Sequence, residues 1–355
     1  MIVTKTIKGR VLAITNDLIL IYRCGFLIVC ENSNKNKVLS RKRIGNWIEK
    51  STLLSRLLRR EPRCAVKIGD SSFLISYNGH ILNYDYKKNI ITDEHTYDKG
   101  MKNPLSFCVE KTAEDEEIIY YGEYIWNKNK GPVAVYKRSK FTWAKVFEFD
   151  YGMITHIHNI VFDEFKKCFY ILTGDDDSES GIWIADHSFS HVEPLIVGKQ
   201  AFRSCVLFPF ETELLYATDT PLEENTLSKI VCNNKVGVET ISSLPGSCIY
   251  GGKVNGEYYF ATTVEPDSSL PGLRYKFTYK LGKGIKDRYS HIFRVKKDGM
   301  IEEVYRAKKD ILPMWLFQFG NFIFPYNETN SVVVVSQSLK CGHSKTLFLG
   351  ENVDE

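Results

Sequence analysis

The chain has 355 residues, of which 43% are hydrophobic and 13% aromatic, enough apolar surface for a packed core and too much for a disordered protein. Lys and Arg (47) nearly balance Asp and Glu (43), giving a net charge of +4 that is spread along the chain apart from two short basic runs. This charge pattern argues against a nucleic-acid-binding protein.

The N-terminal region begins with an apolar stretch that Asp17 and Arg23 interrupt. It is too short and too charged to span a membrane, and it lacks the order of basic, apolar and small residues that marks a signal peptide. Residues 48–60 follow with the one convincing helical spacing in the chain. The nine cysteines are an odd number without a CxxC pair, so we expect reduced thiols and a cytoplasmic protein.

The rest of the chain alternates short runs of aromatic and β-branched residues with Gly, Asn and Asp clusters, as strands and turns require. The ends of these runs recur about every 46 residues, a spacing that is typical of the blades of a β-propeller. The end points are Glu31, Tyr77, Glu123, Gly174, Asp219, Glu265 and Tyr326. We predict an all-β fold over residues 1–355, a single seven-bladed β-propeller with four antiparallel strands in each blade. A six-bladed ring and a β-sandwich with regular hairpins are the alternatives.

Two further features of this ring follow from the pattern. The first strand, within residues 4–14, is expected to close the ring beside the C-terminal residues 345–350. The unit after Glu265 is longer than the others, and residues 266–290 form an insertion rich in Lys, Arg and Tyr. We predict that this insertion is a lid over one face of the ring.

Polar residues near the start of each innermost strand should meet on one face of a propeller, because these strands line the central channel. The residues in this position are Arg63, Asn103, His156, His158, Gln200, Arg203, Ser247 and Gln318. The ends of the next strands add Glu123, Asp175, Asp219 and Glu265. A site built from distant parts of the sequence is therefore expected.

The histidine pair is the strongest candidate in this set. His156 and His158 are one residue apart, and alternation along a strand places both on the same face. With Glu123, Gln200 or Asp219 they would bind Mn²⁺, Fe²⁺ or Zn²⁺, since imidazole and carboxylate both suit these ions.

Other roles for the pair stay open. One histidine would act as base or acid while Arg63 and Arg203 hold a sugar carboxylate. Alternatively, both histidines would hydrogen-bond a glycan without chemistry, or they would only satisfy buried backbone groups. Carboxylates such as Glu123 and Glu265 beside arginines suit glycoside cleavage.

The segments GEY, FTW, THIHNIVFD, YILTGD, GIW, KQAFRS and YATDT resemble sialidase-like propellers with BNR repeats, especially those encoded with bacterial surface-polysaccharide genes. The resemblance covers residues from about 60 to 340 and implies a carbohydrate-active enzyme. It implies that Arg63 and Arg203, with Arg274 or Arg288 from the insertion, hold a substrate carboxylate. THIH is more similar to propeller polysaccharide lyases, which place His with Arg or a His-bound metal at the axis.

We therefore predict a glycoside hydrolase or polysaccharide lyase that acts on an acidic glycan in surface-polysaccharide metabolism, with a divalent metal as its candidate cofactor. The predicted catalytic residues are His156, His158, Glu123 and Asp219, and the predicted substrate-binding residues are Arg63, Gln200, Arg203, Glu265 and Gln318. The alternative is a non-catalytic glycan-binding or scaffold protein that organises polysaccharide-biosynthesis proteins. A scaffold predicts an axial channel plugged by apolar side chains.

Overall fold

The computed structural model describes residues 1–98, 100–112, 117–232, 235–296 and 299–351. Strand β1 (Ile2–Lys8) precedes blade one, which holds β2 (Arg10–Ile14), β3 (Leu18–Arg23), β4 (Phe26–Glu31) and β5 (Val38–Arg43). A 3-10 turn (Ile48–Lys50) and helix α1 (Thr52–Leu57) lead to blade two, with β6 (Ala65–Ile68), β7 (Ser72–Tyr77), β8 (His80–Asp85) and β9 (Ile90–Thr96). The helical prediction for residues 48–60 is therefore confirmed in part of its length.

Blade three carries an additional two-stranded ribbon beside its four strands. In chain order the strands are β10 (Met101–Lys102), β11 (Cys108–Lys111), β12 (Glu117–Gly122), β13 (Tyr124–Ile125), β14 (Val133–Ser139) and β15 (Thr142–Phe149). The blade itself is β11-β12-β14-β15, and β10 pairs with β13 outside it. Blade four holds β16 (Ile157–Asp163), β17 (Cys168–Thr173), β18 (Gly181–Ala185) and β19 (Val192–Val197).

The remaining blades complete the ring. Blade five holds β20 (Ser204–Pro209), β21 (Leu214–Thr218), β22 (Asn225–Cys232) and β23 (Val236–Leu244), after a 3-10 turn at Gln200–Phe202. Blade six holds β24 (Cys248–Val254), β25 (Glu257–Thr262), β26 (Tyr289–Val295) and β27 (Ile301–Lys308), with helix α2 (Gly272–Phe277) between β25 and β26. Blade seven combines β28 (Asn321–Ile323), β30 (Val332–Gln337) and β31 (Lys345–Gly350) with β1, while β29 (Tyr326–Asn327) pairs parallel with β2.

The seven-bladed prediction is confirmed, and so is the closure of the ring. Strand β1 is antiparallel to β31, with Ile2 opposite Gly350 and Lys8 opposite Lys345. The predicted insertion lies between β25 and β26, and within it the Tyr275 ring lies 6.3 Å from the ring of Trp315. Among the described residues, no helix has both the length and the apolar character needed to cross a membrane.

The hydrophobic core lies between neighbouring blades. Between blades three and four, for example, Tyr120 packs on Phe169 with ring centroids 4.7 Å apart, and Ile171 is fully buried in the same cluster. Every such interface buries aromatic and β-branched side chains from adjacent sheets, which stabilises the ring by removing apolar surface from water.

Two of the seven predicted equivalent positions are wrong. The other five positions lie at the end of the second strand of a blade or shortly after it, as expected. Glu31, however, ends the third strand of blade one, and Tyr326 begins the short parallel strand β29. The matching second-strand ends are Arg23 and Gln337. The polar turn after β4 looks the same in sequence as a turn after a second strand, because both connect antiparallel strands.

Candidate functional site

The candidate site lies on the face where innermost strands begin and second strands end. A tight contact between blades three and four fixes its centre. The Ile157 amide donates to the Glu123 carbonyl oxygen at 2.9 Å, and the Ile157 side chain packs on Gly122, where a Cβ atom would lie only 2.3 Å away. Because Ile157 faces the core, the rings of His156 and His158 share the opposite side, with centroids 4.9 Å apart. The predicted alternation is confirmed.

A hydrogen bond orients the ring of His158. Its Nδ1 lies 3.1 Å from the Ser204 carbonyl oxygen, which can only accept, so Nδ1 carries a hydrogen and donates it. The Nε2 atom of the same ring is 3.5 Å from Asp175 Oδ1. With a hydrogen on Nδ1, Nε2 is the ring nitrogen that would bind a metal ion.

His156 is buried with a polar atom that lacks a partner. Its Nε2 atom makes no hydrogen bond and lies 3.8 Å from Asp175 Oδ2. Burial, together with the neighbouring His158, lowers the pKa of His156 to about 3, so its ring is neutral at physiological pH. A buried ring nitrogen that lacks a hydrogen-bond partner and lies beside a carboxylate is a position that suits a cation.

Asp175 completes a three-residue cluster with the two histidines. Burial opposes its ionisation, but His158 and Arg203 outweigh that effect and hold the pKa of Asp175 well below its usual range. The ligand atoms of the three residues lie within 4.8 Å of one another. Two imidazoles and one carboxylate suit a divalent transition metal, and the orphaned His156 nitrogen fits the same interpretation.

A second group of candidate ligand atoms lies deeper. His158, Cys205 and Asp219 also place their ligand atoms within 4.8 Å of one another, and all three residues are buried. The Cys205 thiol donates to Asp219 Oδ2 at 3.3 Å, and burial raises the pKa of this thiol well above its usual value. Cys205 is therefore a neutral thiol paired with a carboxylate in this structure.

Arg203 connects the acidic residues at the base of the site. Its Nη2 atom lies 2.9 Å from Asp175 Oδ1 and 3.5 Å from Asp219 Oδ2. Glu265 is buried next to this group with Oε1 unpartnered, and burial, followed by the charge of Asp219, raises its pKa to about 8. The Arg203 charge is thus neutralised within the protein, which does not fit the predicted role of a substrate clamp.

Two of the other predicted residues have structural contacts instead. The carboxylate of Glu123 accepts from the Ala134 amide at 2.7 Å, so this side chain stays within blade three, away from the histidines. Gln200 donates to the Asp175 carbonyl oxygen at 2.7 Å and accepts from Thr220, so its amide supports the loop behind the cluster. Neither side chain belongs to the group of candidate metal ligands.

A cavity of about 670 Å³ opens beside the cluster and is strongly basic. Its lining includes Arg59, Arg63, Lys102, Tyr124, Tyr250 and Trp315. Arg63 donates to the Asn103 carbonyl oxygen at 3.0 Å and lies 5.1 Å from the ring centroid of Tyr124, while Arg59 donates to the Trp315 carbonyl oxygen at 2.8 Å. No described carboxylate forms an ion pair with Arg59 or Arg63, so the cavity offers two uncompensated guanidinium groups to an anion.

Lys102 lies where this cavity meets a second one of about 400 Å³, and both cavities share Lys102, Tyr124 and Trp126. The second cavity reaches His156 and Asp175. Burial lowers the pKa of Lys102, and the charges of Arg63 and Arg59 lower it further. The fraction of Lys102 that is a neutral amine therefore increases.

The structure places the predicted substrate-binding residues in different surroundings. Arg63 lies in the cavity as expected, and Gln318 lines its wall while donating to the Arg56 carbonyl oxygen at 3.0 Å. Arg288 instead binds the Tyr279 carbonyl oxygen within the insertion, and Arg274 is exposed on α2. Arg59 also lines the cavity, although its position in the sequence indicated only a helical segment.

Tyr124, Lys102 and Trp126 were also missed. Tyr124 directly follows Glu123, and alternation places their side chains on opposite faces. Since Glu123 faces its own blade, Tyr124 faces the cavity, where its ring lies 4.6 Å from that of His156. The aromatic residues Tyr124 and Trp126, just after Glu123 in the sequence, are the signal that could have indicated this part of the site.

No protein-family model matches the sequence, and no curated protein matches it. Solved structures do match in fold. An oligogalacturonate lyase in complex with manganese superposes with a TM-score of 0.58 at 8% identity, covering 98% of this chain and 90% of that chain. The oligogalacturonate lyase from Vibrio parahaemolyticus superposes with a TM-score of 0.54 at 10% identity, covering 98% of this chain and 91% of that chain.

A propeller of a different kind matches equally well. The WD40 β-propeller domain of Doa1 gives a TM-score of 0.54 at 10% identity, covering 99% of this chain and 97% of that chain. At these identities the comparisons establish the propeller fold alone.

Proposed function

We propose that the protein binds an acidic oligosaccharide and cleaves it by β-elimination, as a polysaccharide lyase. The observation that carries the proposal is the pair of uncompensated guanidinium groups, Arg59 and Arg63, beside the cluster of His156, His158 and Asp175. Guanidinium groups recognise carboxylates, so a uronic acid is the sugar that this cavity suits. Two structures of similar fold are oligogalacturonate lyases, and one of them contains manganese.

β-Elimination needs three groups around the uronate. A base removes the proton on the carbon next to the carboxylate, the electron pair of that C–H bond forms a C=C bond, and the C–O bond to the leaving sugar breaks. The leaving oxygen then takes up a proton. The negative charge that develops on the carboxylate must be stabilised, which is the task of Arg59 and Arg63.

Lys102 and Tyr124 are the proton-transfer groups in this proposal. Lys102 has a lowered pKa and lies between the two cavities, so its neutral amine is the base. Burial raises the pKa of Tyr124 above its ordinary value, so its phenol keeps the proton that the leaving oxygen requires. His156, His158 and Asp175 would hold a divalent cation, which supplies further positive charge when bound.

The alternatives have less support. Glycoside hydrolysis uses two carboxyl groups on either side of the substrate bond, but Glu61 is the one carboxylate among the described residues that line the larger cavity, and it pairs with Arg10 at 2.8 Å. A scaffold predicts an apolar plug, whereas the described lining is charged and aromatic. The assignment to surface-polysaccharide metabolism and to the cytoplasm stays a prediction.

The test is an elimination assay. Purified protein with Mn²⁺ is incubated with oligogalacturonates, and the C=C bond of the product is followed by ultraviolet absorption. Arg63→Met should lower kcat/KM about 10- to 100-fold, because the variant loses a charge-assisted hydrogen bond to the substrate. Arg306→Met is the control, because the Arg306 side chain is 58% exposed on β27. Cleavage without a C=C bond would indicate a hydrolase, and equal rates for Arg63→Met and wild type would contradict the proposed role of Arg63.

A further inference from the structure

We propose that Trp126 forms a second sugar subsite, so that the ligand is an oligosaccharide with acid groups on consecutive sugars. This inference rests on the proposed function for the acidic character of the ligand. Trp126 follows β13, is 68% exposed and lines both cavities. A large, exposed indole between two cavities is available to a ligand and contributes little to the core.

The loop that carries Trp126 is held in place by its own hydrogen bonds. Asn127 donates from Nδ2 to the Gly131 carbonyl oxygen at 2.8 Å, and its Oδ1 accepts from the Gly131 amide at 2.8 Å. The Lys130 amide donates to the Asn127 carbonyl oxygen at 3.0 Å. On the other side, β13 pairs with β10. The backbone on either side of Trp126 is therefore held in place before a ligand arrives, which reduces the entropy that the loop loses on binding.

The charges around the indole favour an acidic sugar. The Nζ atoms of Lys102 and Lys128 lie 5.5 and 5.7 Å from Trp126 ring centroids, and neither lysine forms an ion pair with a described carboxylate. The nearby Glu179 is already used, because its Oε2 accepts from the Thr155 amide at 2.6 Å and lies 3.2 Å from Lys130 Nζ. Since Lys102 serves the first sugar, the Lys128 ammonium beside this exposed indole remains for a carboxylate of the second sugar.

The two cavities are continuous through the residues they share. A uronate held by Arg59 and Arg63 in the larger cavity would place its neighbour along the chain over Trp126, at the mouth of the smaller cavity. The apolar C–H face of a pyranose stacks on an indole, while its carboxylate contacts Lys128. One sugar bound by Arg59 and Arg63 leaves Trp126 and the smaller cavity without a ligand, so the geometry points to a ligand of at least two acidic sugars.

Chain-length dependence of binding is the direct test. Affinities of galacturonic acid, mannuronic acid and glucuronic acid, and of their linear trimers, are measured by calorimetry with wild type, Trp126→Ala and Trp47→Ala. Trp47 is the matched control, since it is also 68% exposed but lines neither cavity. Wild type and Trp47→Ala should prefer one trimer to its monomer by about tenfold or more, and Trp126→Ala should lose that preference while it keeps monomer affinity.

The outcomes separate this inference from the proposed function. If wild type binds an acid but prefers no trimer, or if Trp126→Ala keeps the preference, the second subsite is wrong and the acidic-ligand proposal stands. If no acid binds wild type in the presence of Mn²⁺, both proposals fail. If Lys128→Met weakens the trimer and leaves the monomer unchanged, the contact between the second carboxylate and this lysine is supported.

Discussion

Replacing Glu265 by Gln should change how the stability of the protein depends on pH. The carboxyl group is buried, Oε1 has no partner, and burial raises its pKa from 4.5 to about 8. Because the folded-state pKa lies above the unfolded value, the stabilising contribution is complete below pH 4.5 and is lost as the pH rises to about 8. The variant Glu265→Gln is uncharged throughout and lacks this loss.

The size of the effect follows from the two pKa values. The difference between 4.5 and about 8, at about 1.36 kcal/mol per pH unit, corresponds to about 5 kcal/mol. For 355 residues with an unfolding entropy of about 2.1 cal/mol/K per residue, this free energy shifts Tm by about 6 °C.

Thermal unfolding measured from pH 5 to pH 9 provides the assay. Near pH 5 the Tm of Glu265→Gln should be close to that of wild type, and near pH 9 the variant should melt about 6 °C higher. Glu193→Gln is the control, because this carboxylate is 59% exposed. A constant difference in Tm between Glu265→Gln and wild type across the pH range would refute a raised pKa for Glu265.

Two further predictions concern the histidines and the thiols. His156→Ala should leave stability nearly unchanged, whereas His158→Ala should cost about 1–3 kcal/mol because the Ser204 carbonyl oxygen loses its donor. Both variants should lose a stoichiometric transition metal in elemental analysis, and metal retained in either one would contradict the cluster. In thiol labelling, Cys24 should react first, because it is the one exposed cysteine among those whose side chains the structure describes, a set without Cys232. Slow labelling of Cys24, at the rate of the buried thiols, would contradict this ordering.

Repetition explains why the fold was predictable from the sequence. Each blade is a four-stranded unit with the same pattern of apolar runs and turns, so the period shows even where no single blade is distinctive. The pattern fails in blades one and seven, where the second strands end at Arg23 and Gln337. Ring closure by β1 and β31 was predicted, whereas the parallel pairing of β29 with β2 joins distant parts of the chain and follows from no local period.

The candidate site was predictable only where a side chain follows strand geometry. The alternation of side chains along a strand was enough to predict that His156 and His158 lie on the same face. Arg59 depends on a left-handed backbone (φ 54°) just after α1, which no spacing rule indicates. Lys102 and Tyr124 are placed by the pairing of β10 with β13, a ribbon outside the blade repeat. Tertiary structure, and not local pattern, therefore determines the basic part of the site.

The pairing of β1 with β31 has a consequence for synthesis on the ribosome. Strand β1 is made long before its partner β31, and at about 5–20 residues per second the interval between them is tens of seconds. During that time β1 has no partner within blade seven, while blades one to six can already pair their own strands. The nascent chain must therefore keep an unpaired strand edge away from other chains until the final blade emerges.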